Sequence, residues 1–219
     1  RKLVKSPLVS SILFSATALK YSDNDDLKIN FFPKLMSGET LIALAVDEKS
    51  YHDPDDINTR ATEENKCYKL NGKKTFVLNA NFSDHLIVLA KTDSEEYGLF
   101  IVKSNTSGIT INNKILLDTS SYSEIILDDV SIPKEYRLDI KISGRELIKK
   151  ILDISCIGLS AEILGIIMES FELTINYLKE REQFGVKIGS FQSLQHRSAK
   201  LFSEIELCKS IVLKALQAI

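Results

Sequence analysis

The stretch YLKEREQFGVKIGSFQSLQHRSAKL, residues Tyr177–Leu201, contains a break in a helical pattern. A helix-forming run continues to about Arg181, and a corner follows at Phe184 and Gly185. Ser190 is a suitable N-cap for a second helical run, because its side chain can accept a hydrogen bond from a free N–H of the first turn. The stretch therefore predicts two antiparallel helices joined by a short corner, an αα-hairpin.

Apolar residues recur at helical spacing on both sides of this corner. Between Gly144 and Arg181 the apolar stripe is broad, which is typical of an inner helix of a bundle. The final residues, IVLKALQAI, keep the pattern without a C-cap signal, so we expect the sequence to stop inside a helix, as a piece of a longer protein. The stripe consists of Leu147, Ile148, Ile151, Leu152, Ile163, Ile166, Ile167 and Phe171 before the corner, and of Phe191, Leu194, Leu201, Phe202, Ile205, Cys208, Val212 and Leu216 after it.

From Thr40 to about Val130 the pattern is that of short strands. The runs LIALAV, CYKLNG, KTFVLN, HLIVLAK, GLFIVK, GITIN and SEIILDDV are separated by polar or glycine-containing turns. Strands at this spacing, with no helices between them, predict an antiparallel sandwich or barrel. Asn71 and Gly72 predict a two-residue hairpin turn. Pro133 closes the zone, because proline cannot donate to a central ladder.

A helical segment precedes the strands. It follows Pro7, breaks at a SDNDD turn, and resumes through Pro33 to Gly38. The predicted fold is therefore an α+β multidomain protein in three parts. A short helical N-terminal remnant covers residues 1–38, an antiparallel β-sandwich or barrel domain covers 39–138, and part of an all-α four-helix-type bundle covers 141–219.

Composition narrows the class of protein. The 219 residues are 44% hydrophobic and 26% charged with a net charge of −2, which supports a packed core and gives no electrostatic footprint for nucleic acid. Three scattered cysteines without a CxxC motif indicate a reduced, cytoplasmic compartment. The most apolar stretch, Ile154–Met168, contains Glu162, so we expect no membrane span.

Generic motifs of catalysis and metal binding are missing from the sequence. It contains no GxGxxG, GxxxxGK[ST], GxSxG or HExxH pattern. Its three histidines are isolated, and such residues are more often surface groups than ligands. The acidic run from His52 to Asp56 lacks the spacing of a calcium loop and is interpreted as a solvated loop, so no metal site is predicted.

The order of these zones, together with R-x-x-F-G and a following F-Q, resembles the acyl-CoA dehydrogenase family over essentially the whole chain. Four stretches carry the resemblance. They are FFPKLMSGETLIALAVDE (31–48), LNGKKTFVLNANFSDHLIVLAKT (70–92), LDDVSIPKEYRL (127–138) and REQFGVKIGSFQSLQHRSAKL (181–201). The last is the longest and most specific of the four.

The resemblance implies FAD, bound between the β domain and the C-terminal helices, with its ADP half reached by the corner of a neighbouring subunit. Arg181 would pair bidentately with the pyrophosphate, an interaction that lysine reproduces poorly. Phe184 would pack near the adenine and ribose, and Gln192 would offer its side-chain amide. The alternative for Arg181 is an ordinary surface pair with Glu180.

In the β domain the resemblance implies flavin-ring contacts from Val46, Phe76 and Leu78. Phe76 stands where the family has a tryptophan, and Leu78 stands where a threonine hydroxyl meets the flavin. Val46 begins the segment that matches the family's threonine-glutamate-proline motif. Two hydroxyl donors are therefore lost, which at about 0.5–1.5 kcal/mol each weakens or retunes flavin binding without necessarily abolishing it.

For the substrate, the resemblance implies contacts to the CoA group from His52 and Asp153. The carboxylate base of most family members lies in a segment beyond Ile219, and in a minority it lies at the position of Ser155. Serine cannot take the α-proton of an acyl thioester, so no catalytic residue is predicted within this sequence.

The resemblance implies an FAD-dependent acyl-CoA dehydrogenase that forms an α,β-double bond and passes electrons to an electron-transferring flavoprotein, as a dimer or tetramer. A second hypothesis is a non-catalytic partner subunit of a hetero-oligomer, which completes the FAD site of another chain. Val46, Leu78 and Cys156, where the family has an arginine, motivate this alternative. A flavin monooxygenase of the same fold is a weaker third possibility.

Overall fold

The computed structural model describes residues 7–117, 119–139 and 141–219. These residues form two compact units, one of them extending to Ser155 and the other running from Cys156 to Ile219. The division falls within a long helix, α3 (Gly144–Glu180), and each unit is described by itself.

The first unit begins with the predicted helical segment. A π-helical stretch, Val9–Ala16, continues into α1 (Thr17–Tyr21), and α2 (Asp25–Ser37) begins inside the predicted SDNDD turn, so that only its first three residues separate the two helices. Asn24 is the N-cap of α2, since its Oδ1 accepts a hydrogen bond from the N–H of Leu27 at 3.2 Å. Gly38 ends α2 in the left-handed conformation, at φ 76°.

A curled sheet of seven strands follows. Strand β4 pairs with three other strands: it is parallel to β1 and β2 and antiparallel to β5. Strand β3 pairs with β2 and β7, and β6 pairs with β7, all antiparallel. The strands are β1 (Ile42–Ala45), β2 (Arg60–Glu64), β3 (Cys67–Leu78), β4 (His85–Thr92), β5 (Tyr97–Lys103), β6 (Ile109–Ile115) and β7 (Ser121–Pro133).

The α+β class, with a β domain followed by helices, is confirmed. The sheet is mixed, however, and the expectation of a purely antiparallel one is wrong at the two pairs that β4 makes with β1 and β2. Two parallel neighbours need a long connection between them. Between β1 and β4 the chain forms the β2–β3 hairpin and a short turn at Ala80–Phe82, and this connection allows β4 to lie beside β1 and run in the same direction. Strand β7 ends at Pro133, as predicted.

The sheet is buried on both faces, which its alternating side chains make possible. On β4, Ile87 and Leu89 pack into a core shared with α1, α2 and the start of α3. Leu86 and Val88 point to the opposite core, which is shared with β3 and β7. An apolar run such as HLIVLAK is typical of a strand covered on both sides.

The predicted hairpin at Asn71 and Gly72 is wrong. Strand β3 runs without interruption through both residues, and the hairpin turn lies at Asn65 and Lys66, where Asn65 has φ 45°. Gly72 is required for a different reason. A Cβ atom there would lie 2.5 Å from Oγ1 of Thr59, so the glycine allows a close approach of the backbone at a bulge.

The second unit consists of the end of α3, a two-stranded hairpin and α4 (Gln192–Gln217). The hairpin strands are β8 (Glu182–Gln183) and β9 (Val186–Lys187), and a short 3-10 turn, Ile188–Ser190, leads into α4. The expectation that Ser190 caps α4 is wrong, because its hydroxyl donates to the carbonyl of Lys187 inside that turn. Phe191 occupies the N-cap position and supplies no side-chain bond.

Within the part of the chain that the structure describes, α3 is the one helix that is long and apolar enough to cross a membrane, by length and composition alone. Judged by length and composition, the expectation that no segment could span a membrane is therefore wrong. Glu162 alone does not interrupt a helix of 37 residues. A helix of an all-α bundle passes the same test, since its apolar stripe packs against other helices instead of lipid.

The close approach at Gly72 predicts that Gly72→Ala destabilises the protein. The added methyl group would overlap Thr59, and overpacking of this kind costs about 1–3 kcal/mol in the free energy of unfolding. Asn65→Gly is the matched control, because glycine suits the positive φ of the true turn and should change stability by less than about 0.5 kcal/mol. Urea unfolding of the two variants measures both changes, and equal stabilities would contradict the assigned roles.

Candidate functional site

A pocket in the first unit brings together four of the predicted site residues. Val46 follows β1, His52 lies in the loop after it, and Phe76 and Leu78 lie at the end of β3. The full lining is Phe14, Leu44, Val46, Asp47, His52, Thr75, Phe76, Leu78 and Leu152. The walls are therefore mainly apolar, with a few polar groups, which is the usual composition of a small-molecule site.

A β-bulge shapes the wall of the pocket that β3 supplies. The register with β7 shifts between Lys74 and Val77, and Phe76 has φ 52°. In a regular strand Thr75 and Phe76 would point to opposite faces, whereas both line the pocket here. Leu78 lines it as well, and its hydrocarbon side chain cannot donate a hydrogen bond.

Asp47 and His52 form the polar edge of the pocket. Nδ1 of His52 lies 2.9 Å and 3.0 Å from the two carboxylate oxygens of Asp47. The N–H of Asp53 also donates to Asp47, at 3.1 Å. Because a carboxylate only accepts, Nδ1 carries the proton, and Nε2 of His52 is left as the ring nitrogen for a further partner.

Thr75 does not replace the missing threonine hydroxyl. Its Oγ1 donates to the carbonyl of Lys49 at 2.8 Å, and its N–H donates to the carbonyl of Asp47 at 2.7 Å. The side chain thus ties β3 to the segment after β1, and its only hydrogen is already used.

A buried ion pair lies behind this segment. Lys74 is 0% exposed, and its Nζ lies 2.8 Å from Oε1 of Glu48 and 2.9 Å from the carbonyl of Val46. Glu48 also accepts hydrogen bonds from the N–H of Asn58 at 2.6 Å, and from the N–H and hydroxyl of Thr59 at 2.9 Å and 2.6 Å. The pair therefore connects β3 to both ends of the loop between β1 and β2.

The two members of this pair are both charged at neutral pH. Burial lowers the pKa of Lys74 to about 8, although the charge of Glu48 acts in the opposite direction. Burial by itself would raise the pKa of Glu48, but the charge of Lys74 and the hydrogen bonds from Lys74 and Thr59 together hold that pKa below its usual value. A positive charge is thus fixed directly behind the carbonyl of Val46.

The acidic loop after His52 has partners of its own. Asp56 pairs with Lys49, and Asp55 pairs with Arg145. Among the described residues, no group of three or more His, Cys, Asp or Glu side chains is placed to hold a metal ion.

Asp153 and Ser155 belong to α3 in the first unit. Asp153 is exposed and does not line the pocket, although its neighbour Leu152 does. Ser155 is buried, and its hydroxyl lies 2.6 Å from the carbonyl of Ile151. Of the described residues that line the pocket, Asp47 is the one with a carboxylate, and that carboxylate already bonds His52.

In the second unit, the corner between α3 and α4 is a small β-hairpin. Its two central residues, Phe184 and Gly185, have φ 55° and 80°, the pattern of a type I′ turn. Phe184 is 90% exposed, and its ring meets Phe191 edge to face at 6.3 Å between centroids. A glycine at the second position is what such a turn requires, and a phenylalanine at the first is uncommon.

Arg181 stands exposed at the base of this hairpin. Its backbone bonds Tyr177 and Ile188, both at 2.9 Å. Within the described part of the chain its guanidinium makes no ion pair, and the alternative pairing with Glu180 is not formed. Gln192 is also exposed, as the first residue of α4. The three predicted corner residues, Arg181, Phe184 and Gln192, thus all present accessible side chains.

Four pocket residues were missing from the sequence-based prediction: Phe14, Leu44, Thr75 and Leu152. Asp47 belongs to the segment beginning at Val46 that matches the threonine-glutamate-proline motif. Leu44 and Thr75 lie next to predicted residues along the chain, so a wider window around those residues would have found them. Phe14 and Leu152 come from distant helices, and no local signal points to them. The buried role of Lys74 was also missed, because lysine is almost never fully buried unless it is paired.

Comparison with known proteins identifies the family. The sequence profile described as "Acyl-CoA dehydrogenase, middle domain" matches residues 44–130, and that described as "Acyl-CoA dehydrogenase, C-terminal domain" matches residues 143–219. The chain belongs to the acyl-CoA dehydrogenase family, a family of oxidoreductases. Helix α3 is accordingly a helix of the C-terminal helical domain.

Three similar proteins illustrate the relationship. An acyl-CoA dehydrogenase of Bacillus subtilis is 32% identical, over 89% of this chain and 54% of its own length. The caffeyl-CoA reductase-Etf complex subunit CarC of Acetobacterium woodii is 30% identical, over 84% and 51%. A crystal structure of a glutaryl-CoA dehydrogenase from Mycobacterium smegmatis in complex with FADH2 is 26% identical, with a TM-score of 0.86 over 95% of this chain and 54% of that one. The chain therefore spans about half the length of the relatives it matches.

The lowered pKa of Lys74 predicts that stability rises with pH above about 8. The unfolded chain keeps this proton up to about pH 10.4, so between those values the unfolded state binds more protons than the folded state. The free energy of unfolding should increase there, by up to about 3 kcal/mol. Denaturant unfolding across this range, compared with Lys74→Met, measures the effect, and equal slopes in both proteins would contradict it.

Proposed function

We propose that the protein containing this chain is an FAD-dependent acyl-CoA dehydrogenase. It would form an α,β-double bond in an acyl-CoA thioester and pass the electrons to an electron-transferring flavoprotein. The observation that carries the proposal is the convergence of Val46, which follows β1, with Phe76 and Leu78 of β3 on one pocket in a chain of this family. The relative in an Etf complex and the neighbour with FADH2 support the partner and the cofactor.

The pocket residues suit the flat ring system of a flavin. Phe76 offers an aromatic surface, and Leu44, Leu78 and Leu152 offer apolar contact. When bound, FAD would supply the hydride acceptor of the reaction. The part of this chain is to bind and orient the ring, to exclude water from its face, and to supply backbone N–H donors, which do not depend on side-chain identity.

The corner residues suit the other half of the cofactor. The guanidinium of Arg181 is exposed, and a pyrophosphate would satisfy it through two parallel charge-assisted hydrogen bonds. Phe184 offers an exposed ring for the adenine, and Gln192 offers an amide. We propose that this corner completes an FAD site in a dimer or tetramer.

For the substrate, we propose that His52 and Asp153 contact the CoA group. Asp47 holds Nδ1 of His52, so Nε2 is available to the ligand, and a protonated ring would donate there to a phosphate. Asp153 is exposed on α3 and would accept from hydroxyl or amide donors. We also propose that the protein is cytoplasmic, because three scattered cysteines without a CxxC motif are typical of a reduced compartment.

The second candidate is a non-catalytic subunit that completes the FAD of another chain. It is favoured by Val46 and Leu78, which cannot supply the hydroxyl donors, and by Cys156, which stands where the resemblance has an arginine. The corner of the second unit would serve this role equally well.

One experiment separates the two candidates. The full-length protein is expressed alone, its flavin spectrum is recorded, and acyl-CoA thioesters of graded length are added. We expect a yellow homo-oligomer whose flavin is bleached by acyl-CoA. A colourless protein that gains flavin only with a second subunit would reject the dehydrogenase and support the partner subunit.

A variant of the corner tests the role of Arg181. Arg181→Ala should weaken FAD binding by about 1.5–3 kcal/mol, because charge-assisted hydrogen bonds to the pyrophosphate are lost. Arg181→Lys should recover only part of the affinity. Lys200→Ala removes an exposed positive charge from α4 and serves as the control. Equilibrium dialysis measures retained flavin, and equal retention in all four proteins would contradict the assignment.

A further inference from the structure

Phe76 has an unusual backbone conformation for its size. Its φ of 52° lies in the left-handed region, which bulky residues other than glycine rarely adopt. Such a conformation persists only where surrounding contacts determine it. The bulge in β3 explains how the strand turns at this point, but a bulge alone would suit glycine better than phenylalanine.

The contact that holds the side chain of Phe76 comes from Tyr122 on the neighbouring strand. The two ring centroids are 5.0 Å apart and the ring planes differ by 20°, so the rings are stacked. Tyr122 lies directly opposite Leu78 in the β3–β7 pairing and opposite Lys114 in the β6–β7 pairing. It therefore stands on a strand that is paired on both sides, which makes it a rigid support.

Phe76 remains accessible on the side of the pocket. Although it is stacked on Tyr122, it is 47% exposed, and it is one of the pocket-lining residues. Tyr122 is not among the residues that line the pocket. Tyr122 thus supports Phe76 from behind, and the ring of Phe76 is available to a flat ligand in the pocket.

We propose that Tyr122 is a positioning residue for the cofactor ring. By stacking on the ring of Phe76, Tyr122 stabilises the strained backbone conformation of that residue and keeps its ring facing the pocket. The pocket is then already arranged for the flavin before binding. The sequence resemblance puts a tryptophan at position 76, and the smaller phenylalanine has less surface with which to hold its own orientation. The inference rests on the proposed FAD site, and it adds a residue that lies outside that site.

Three variants of Tyr122 in the full-length protein test the inference. Tyr122→Phe keeps the stack and loses only the hydroxyl. Tyr122→Leu keeps apolar packing without an aromatic face, and Tyr122→Ala removes both. Each is titrated with FAD, and the visible circular dichroism of the bound flavin is recorded, because this signal depends on how the ring is held by the groups around it.

We expect Tyr122→Phe to bind FAD within about twofold of the wild type. Tyr122→Leu and Tyr122→Ala should bind about three- to tenfold more weakly, which corresponds to the energy of an aromatic pair. The visible circular dichroism of their bound flavin should also differ from that of the wild type, since Phe76 is no longer held against the ring. Wild-type affinity and an unchanged circular dichroism in Tyr122→Leu would overturn the inference, whatever happens to the folding of Tyr122→Ala.

The experiment also distinguishes this inference from the proposed function. If the wild type binds FAD and Tyr122→Leu binds it equally well with the same circular dichroism, only the role of Tyr122 fails. If the wild type takes up no FAD under any condition, the proposed function fails, and the role of Tyr122 fails with it.

Discussion

The ion pair between Lys74 and Glu48 is the interaction on which the pocket depends. It is buried, and its hydrogen bonds reach the carbonyl of Val46 on one side and the backbone of Thr59 on the other. The loop between β1 and β2 is therefore fixed at both ends to β3. Gly72 completes the arrangement by allowing β3 to approach Thr59 closely. The pair constrains the loop because its hydrogen bonds reach both ends of that segment, although burying the two charges is itself costly.

The bulge at Phe76 is the second constraint, and it works against local preference. A phenylalanine at positive φ stores strain, and strain of this kind is typical of functional sites, where surrounding structure keeps it in place. The stack with Tyr122 and the paired strand behind it supply that support. Exposure of an aromatic ring beside an apolar pocket costs hydrophobic burial in the free protein, and a flat ligand would recover it.

The corner between α3 and α4 is shaped by the backbone conformation of its turn. The hairpin needs only its two central residues at positive φ, and one of them is Gly185. Arg181 and Phe184 are left accessible, with no ion pair for the arginine among the described residues. An exposed arginine and an exposed aromatic ring on a rigid turn are well suited to a phosphate and a base. Because the chain belongs to the acyl-CoA dehydrogenase family, Arg181 and Phe184 are proposed to contact FAD, a role that composition alone could not indicate.

The sequence by itself determined the order of helical segment, sheet and helices, the family, and the candidate residues Val46, Phe76, Leu78 and Arg181, because periodicity and long motifs are local properties of the chain. The tertiary structure alone decided three things. It made the sheet mixed, since the direction of β4 depends on the whole chain path between two strands. It placed Asn71 and Gly72 inside a strand, because the close approach to Thr59 outweighs their turn preference. It also brought Phe14, Leu152 and Tyr122 to the pocket region, since contacts between distant segments leave no trace in local pattern.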